Sequence, residues 1–420
     1  MKRNVLILCD AFPPAFSPRM GYLCKFLSEW GWNPVIVTEY LPQDLYRDLV
    51  QTHDITYVNY YWSRNRAVQR FKYALAFFAD LFFNYKNWVI KGAAKKKLKK
   101  YDISLILSSS HRIFPALAAY QLSRRYHIPY LMDLRDIFEQ SSHNELISRK
   151  ITNIKWLNNG IAAVITRKLT RQRNKILKKA DIVTTVSTWH VETLSHYNRQ
   201  THLIYNGYDS ELFFPKTVNS QQFIITYTGR LHSQEIRDPA LLFEAVAHLS
   251  AQKLINPAFL RIRFYSDAAS QNIIRSIAEK YGVNSFIDYC ALIPHSEIPH
   301  LLNSSSILLL LTNKSSETGG PQGIMTTKLF EYLAVEKPIL CVRNDKGCLE
   351  ATIKDTQSGL AASTVAETVC FIMEKYCEWQ QKGFTRQAVN RSAIQQFSRR
   401  EQARQFVELF EQLTVARAAQ

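Results

Sequence analysis

The sequence predicts an α/β protein of two domains, each a parallel sheet covered by helices, and three observations lead there. With 420 residues the chain is too long for one ordinary core and suits two domains of about 200 residues each. Strand-like apolar runs alternate with helix-like segments almost throughout, the pattern of parallel sheets between helical layers. The alternation starts afresh after the stretch Pro215-Lys-Thr-Val-Asn-Ser220. The expectation is therefore two Rossmann-like domains, 1–215 and 216–396, with their ligand loops facing a central cleft, and a helix over 397–420 packing back.

The elements follow in order. Val5–Cys9 is an apolar run that Asp10 ends; it is a strand, too short for the roughly 7–15 residues of a secretory h-region. A Pro-Pro loop leads to a helix over Tyr22–Trp30 and a strand at Val35–Thr38. A second unit runs from Ile103–Leu107 through a helix over Ile113–Tyr126 to Tyr130–Asp133. A third takes Asp181–Ser187, a helix around Val191–Tyr197, and His202–Tyr205. In the second domain Phe223–Thr228 precedes a helix over Pro239–Ser250. Strands at Arg261–Tyr265, Phe286–Tyr289, Ile307–Leu311 and Pro338–Val342 come next. The stretch from Phe397 to Phe410 has apolar residues near i, i+3 and i+4 spacing, the mark of an amphipathic helix.

Composition narrows the class. A hydrophobic share of 46% with 13 Gly and 14 Pro describes a folded chain with little disorder. The seven cysteines are odd in number, scattered and without a C-x-x-C pair, so neither a disulfide framework nor a zinc site is expected, and a reducing cytoplasm fits. No window approaches the roughly 20 apolar residues of a membrane span. The nearest candidate, Tyr73–Phe83, is broken by Asp80. Of the net charge of +18, residues 1–215 carry 31 Lys/Arg against 16 Asp/Glu, a balance of +15. Such one-sided charge points to an anionic partner: a membrane surface, nucleic acid or a phosphorylated substrate.

The most informative motif is Thr318-Gly-Gly-Pro-Gln-Gly-Ile-Met-Thr-Thr-Lys-Leu-Phe-Glu331. It reads as a Gly-rich loop (Gly319, Gly320, Gly323) entering a helix near Thr326 or Thr327, with Lys328 in the first turn. Free amides and the positive end of a helix dipole suit a diphosphate. Glu331, one turn inside, can accept two hydrogen bonds from a ribose diol. An ordinary helix start with Glu331 paired to Lys328 at i, i+3 fits these residues equally.

Other candidates stand at strand ends. Asp10–Gly21 follows the first strand; Gly21 would let backbone approach a phosphate, or the loop is simply a stiff Pro-rich connection. It lacks G-x-G-x-x-G, which argues against ordinary NAD binding. His111 opens a helix after Ile103–Leu107 and can meet a sugar hydroxyl or merely cap the helix. Asp133-Leu-Arg-Asp136 can face an acceptor or form a local ion-pair cluster. Thr228-Gly-Arg230 closes the first strand of the second domain, and the Arg230 fork suits diphosphate oxygens or a surface ion pair. Arg237 is a second cation, beside Asp238-Pro239, where Asp238 is expected to cap the helix. Over residues 64–100 eight aromatics interleave with Arg and Lys, ending Lys95-Lys-Lys-Leu-Lys-Lys100. That composition fits the interface of an anionic membrane, or a partly buried domain helix with a solvated tail, and fits them better than nucleic acid, for which the chain has no recognised module.

Together these residues resemble a known family, the GT-B fold glycosyltransferases of family four, a retaining group with many bacterial envelope sugar transferases. The resemblance is carried by the Phe12-Pro-Pro loop, Ala180–Ser187, Leu203-Ile-Tyr-Asn-Gly-Tyr-Asp209, Tyr227-Thr-Gly-Arg-Leu231 and Lys328–Pro338, in that order. It implies that Glu331 binds the nucleotide ribose and Arg230 the diphosphate, with the amides around Gly319–Thr327 and Gly21 completing the phosphate site. His111 aligns loosely with a histidine near the donor sugar.

Two departures stand out. The family's first glutamate lies eight positions before Glu331, where this chain has Gly323; Glu317 is the nearest stand-in. The family's second basic residue falls at Glu235 and Ile236, so Arg237 is the candidate replacement. By resemblance the partners are a nucleotide diphosphate sugar of UDP or GDP type, a glycan or lipid-linked acceptor, and an anionic membrane surface. The expected location is cytoplasmic, peripheral to the inner face of the plasma membrane. No D-x-D motif occurs, so metal-independent, retaining transfer is expected, with no cofactor beyond the donor. The alternatives are an epimerase of sugar nucleotides on the same fold and a catalytically lapsed scaffold.

Overall fold

The computed structural model describes residues 3–15, 17–50, 53–140, 155–234, 236–312 and 323–418. They divide into two compact units, Met1–Tyr205 with Arg399–Gln420, and Asn206–Ser398.

The first unit is built on seven strands: β1 (Arg3–Cys9), β2 (Trp32–Glu39), β3 (Asp54–Val58), β4 (Ile103–Ser110), β5 (Tyr130–Leu134), β6 (Ile182–Thr185) and β7 (Thr201–Leu203). They lie in the order β3-β2-β1-β4-β5-β6-β7, with every pairing parallel. The connecting helices are α1 (Pro18–Leu27), α2 (Arg66–Phe83), α3 (Tyr85–Lys100), α4 (Ala116–Tyr126), α5 (Lys155–Leu177) and α6 (Thr188–Ser195). Helices on both faces explain why β1 is a continuous apolar run rather than an alternating one. Val5, Ile7 and Cys9 enter one core and Leu6 and Leu8 the other.

The second unit repeats the arrangement with six strands: β8 (Phe223–Thr228), β9 (Leu260–Tyr265), β10 (Ile287–Cys290), β11 (Ile307–Leu311), β12 (Ile339–Val342) and β13 (Gly359–Ala362). Their order, β10-β9-β8-β11-β12-β13, is again all parallel. Its helices are α7 (Ala240–Ala251), α8 (Ala268–Tyr281), α9 (Ile298–Asn303), α10 (Thr327–Ala334), α11 (Cys348–Asp355), α12 (Val365–Lys382) and α13 (Arg391–Gln395). In both sheets the strand order reverses beside the first strand. Loops leaving the carboxyl ends there diverge and leave a crevice for ligands, between β1 and β4 and between β8 and β11.

The last helix, α14 (Arg399–Ala418), returns to the first unit. Ala403, Phe406, Val407, Leu409 and Phe410 join the core beside α1, with the Phe410 ring edge-on to the buried Trp32 at 5.1 Å.

Several elements differ from the sequence expectation. The first helix starts at Pro18, a residue suited to a first helical position, and not at Tyr22. Strands β3 and β13 lie at sheet edges, where half-burial leaves little apolar signal. Residues 64–100 form two helices, because Asn84 adopts a left-handed conformation (φ 53°) between them. The unit boundary falls at 205/206, ten residues before the expected linker. Tyr208 N donates to the Phe397 carbonyl, Lys216 N to Asn303 Oδ1 and Asn303 Nδ2 to the Phe214 carbonyl, which stitches 206–216 into the second unit.

Candidate functional site

The densest grouping of predicted site residues lies at the carboxyl end of β8. All six β8 residues are buried, and the strand ends at Gly229 with φ +112°, a conformation side chains rarely adopt. A Cβ there would stand 2.7 Å from Cε and 2.8 Å from Nζ of Lys328. The Lys328 ammonium therefore occupies the space that glycine leaves open. Its Nζ lies 5.5 Å from the centroid of the Tyr227 ring. Burial, then the neighbouring positive charge of Arg237, lowers its pKa to about 8, against an opposing pull from Glu331.

Helix α10 brings Lys328 there by burying its other face. Leu329, Phe330, Tyr332 and Leu333 enter the core, and the Tyr332 hydroxyl sits 3.4 Å from Thr228 Oγ1. Lys328 and Glu331, three apart, share the remaining face. Thr326 is the N-cap residue, yet its hydroxyl accepts no hydrogen bond from the first-turn amides. Gly323, with φ +68°, precedes this turn. Gly319, Gly320, Glu317 and Glu235 lie outside the described residues.

Glu331 does not pair with Lys328. Its Oε1 lies 3.5 Å from Nε2 of His295, in a short turn after β10, and the His295 ring meets Phe213 edge-on at 5.5 Å. Sequence reasoning missed His295; its only signal was a histidine placed just after a strand at the ligand edge. Arg230 is exposed, its Nε 3.1 Å from Oδ2 of Asp267, the residue that caps α8. Arg237 Nη1 donates to the Arg230 carbonyl, which also accepts from the Tyr227 hydroxyl at 3.1 Å. Arg237 thereby holds the Gly229-Arg230 turn in place. Asp238 is buried and accepts from Ala240 N at 3.0 Å, the expected capping role, though the helix begins one residue later than expected.

The first unit gathers a second polar group at the ends of β1, β4 and β5. His111 N donates to Asp10 Oδ2 at 3.0 Å, and its Nδ1 lies 2.7 Å from Asp136 Oδ2, with His111 exposed and Asp136 half-buried. Arg135 pairs with Asp10 and donates to Ser17 Oγ at 3.3 Å. Asp133 is fully buried and accepts from Arg19 Nη2 and Nε at 2.9 and 3.2 Å, from Ser109 Oγ at 2.8 Å and from Thr184 Oγ1 at 2.9 Å. Of the charged residues in the Asp133–Asp136 stretch, Asp133 is buried, while Arg135 and Asp136 are partly exposed and form the local ion-pair cluster with Asp10 and His111. Gly21 lies inside α1, where Pro13 Cγ would stand 2.6 Å from an added Cβ. Its missing side chain lets the Pro-Pro loop pack against the helix, and sequence alone gave no sign of that contact.

Among the described residues no group of three or more His, Cys, Asp or Glu could hold a metal ion, and no helix is long and apolar enough to cross a membrane.

Comparison with known proteins agrees with this architecture. Residues 19–212, just under half of the chain, match the model for Glycosyltransferase Family 4, the family that the sequence resembles. No curated protein matches the sequence. Among solved structures, a glycosyltransferase from Rickettsia africae superposes with a TM-score of 0.63 at 16% identity, covering 98% of each chain. HepE from Anabaena, in complex with UDP and glucose, gives 0.63 at 13% identity over 98% of this chain and 100% of that one. The lipopolysaccharide outer core galactosyltransferase WaaB gives 0.55 at 12% identity over 98% and 100%. At these identities the likeness establishes the fold, which is GT-B.

Proposed function

We propose, for a GT-B chain whose residues 19–212 match Glycosyltransferase Family 4, that it transfers a sugar from a nucleoside diphosphate sugar of UDP or GDP type to a hydroxyl of a glycan precursor. The observation that carries the reading is the corner where the Lys328 ammonium rests against Gly229, beside the first turn of α10, which the Thr326 hydroxyl does not cap, with Glu331 on the same face. A cation, the first-turn amides and the helix dipole together select an anion, and bare glycine backbone lets it approach closely. One turn on, the Glu331 carboxylate is placed to accept hydrogen bonds from a ribose diol. HepE holds UDP and glucose on the same fold, which supports the same ligand class here.

In the proposed mechanism, Lys328, the α10 amides and Arg230 meet the charge that develops on the leaving diphosphate. This is preorganised electrostatic stabilisation, arranged before reaction. Arg230 exchanges Asp267 for phosphate oxygens, a short swing for an exposed side chain. Arg237 acts on the backbone of the turn and adds positive charge. The sequence holds no D-x-D pair, so the reading is metal-independent transfer with the anomeric configuration retained. The acceptor is proposed to be lipid-linked, met at the inner face of the plasma membrane by the aromatic surface of α2. Gly323, in place of the family's first glutamate, favours one second reading: a scaffold that binds nucleotide without turnover.

Calorimetry with UDP and GDP tests the site. Glu331→Ala removes two charge-assisted hydrogen bonds, each worth about 1.5–3 kcal/mol. Unchanged affinity in that variant would sink the assignment. With a donor identified by a hydrolysis screen, turnover should survive EDTA and NMR should show a retained anomeric centre. Nucleotide binding with no turnover on any donor would favour the scaffold.

A further inference from the structure

A cavity of about 480 Å³ opens at the ligand edge of the first unit, where the loop after β3 meets α2. That is within the usual range of small-molecule pockets, about 300–1,000 Å³. Tyr60, Tyr61 and Tyr85 line one side and Ala76 and Ala79 the other, with Lys72 among the lining residues. The Tyr60 hydroxyl donates to the Lys86 carbonyl at 3.1 Å, so that tyrosine presents its ring and not its polar tip. Lys72 is exposed and has no carboxylate partner among the described residues.

The helix above the cavity is unusual. Of its 18 residues only Ala76 is buried. Phe71, Leu75, Phe78 and Phe82 repeat at i, i+4, i+7 and i+11 and form one apolar stripe, 70%, 62%, 55% and 65% exposed. Lys72, Ala76 and Ala79, one residue on, line the cavity together with Leu75 of the apolar stripe, so the stripe runs up to the cavity mouth. The charge is one-sided as well. No Asp or Glu stands between Asp54 and Asp80, whereas Arg64, Arg66, Arg70 and Lys72 fall within that stretch. A cavity walled by tyrosine rings, Leu75 and two alanines, a continuous apolar stripe and cations at one end match an amphiphile with a hydrocarbon chain and an anionic head.

We infer that this cavity binds the first part of the hydrocarbon chain of a single-chain lipid phosphate, with Lys72 pairing with the phosphate. The inference rests on the proposed lipid-linked acceptor and deepens it, assigning the acceptor's lipid to a place in the first unit. Chain and phosphate contribute separately: the walls take the hydrocarbon, and the lysine takes the charge.

The test is calorimetry on the full-length protein with decyl phosphate below its micelle concentration, with inorganic phosphate and decanol as separate ligands. It needs neither donor nor turnover, so failure here and failure of nucleotide binding are read independently. Decyl phosphate should bind and inorganic phosphate should not compete with it. Ala79→Phe, which fills the cavity, should weaken decyl phosphate at least about tenfold. Lys72→Gln, at an exposed position with no burden on folding, should weaken decyl phosphate about tenfold and leave decanol unchanged. No binding by the wild-type protein, equal competition by inorganic phosphate, or full affinity in a folded Ala79→Phe would overturn the inference. So would Lys72→Gln with unaltered preference for phosphate over alcohol.

Discussion

Lys328 gives the sharpest test of the nucleotide site, because its environment makes anion binding depend on pH. Burial, followed by the charge of Arg237, lowers its pKa to about 8 in the free protein. A diphosphate beside Nζ favours the charged form and raises the pKa again. Affinity therefore belongs to the protonated lysine; it is present below about pH 8 and lost as pH rises through that value. About nine-tenths of Lys328 is protonated at pH 7 and about one-quarter at pH 8.5, so UDP affinity should fall about fourfold, or about 0.8 kcal/mol. A terminal phosphate with a pKa near about 6 stays ionised across this window and contributes little to the slope. Calorimetry at both pH values, in buffers of different ionisation enthalpy, should also show proton uptake that grows toward pH 8.5. Lys328→Met should lower affinity at pH 7 and abolish the slope. A flat wild-type profile, or an equal slope in Lys328→Met, would refute the placement of the diphosphate beside this lysine.

Two further outcomes follow from the packing and the surface. Asp133→Ala leaves Arg19 buried without its carboxylate and should cost about 3–5 kcal/mol in urea unfolding, whereas a loss under about 1 kcal/mol would show that the pair is not the anchor its burial implies. For α2, sedimentation with anionic vesicles should weaken as salt rises and drop at least about tenfold in the combined variant Phe71→Ser, Phe78→Ser and Phe82→Ser. Undiminished binding by that variant would remove this helix from any membrane role, and equal binding to neutral vesicles would overturn the electrostatic part of the account.

Much was legible in the sequence by itself. Val5–Cys9, Phe223–Thr228, Ile307–Leu311 and Pro338–Val342 announce buried parallel strands because apolar residues run on without alternation, which only a sheet covered on both faces tolerates. Thr228-Gly-Arg230 and the Thr326–Glu331 helix start are local patterns, and the tertiary structure places Gly229, Lys328 and Arg237 in one corner. What only the tertiary structure decided are pairings between segments far apart in the chain. Glu331 is 36 residues from His295, and nothing near either names the other. Arg230 meets Asp267 because α8 starts where β9 ends, beside β8. Gly21 reads as a phosphate residue in its own loop, yet Pro13 fills the space beside it. Residues 206–216 look like the end of one domain until Asn303, at the end of α9, binds the chain at Phe214 and Lys216. Strand periodicity and helix caps are encoded within a few residues, whereas sheet order sets which loops become neighbours, and that order is chosen by the packing of the whole core.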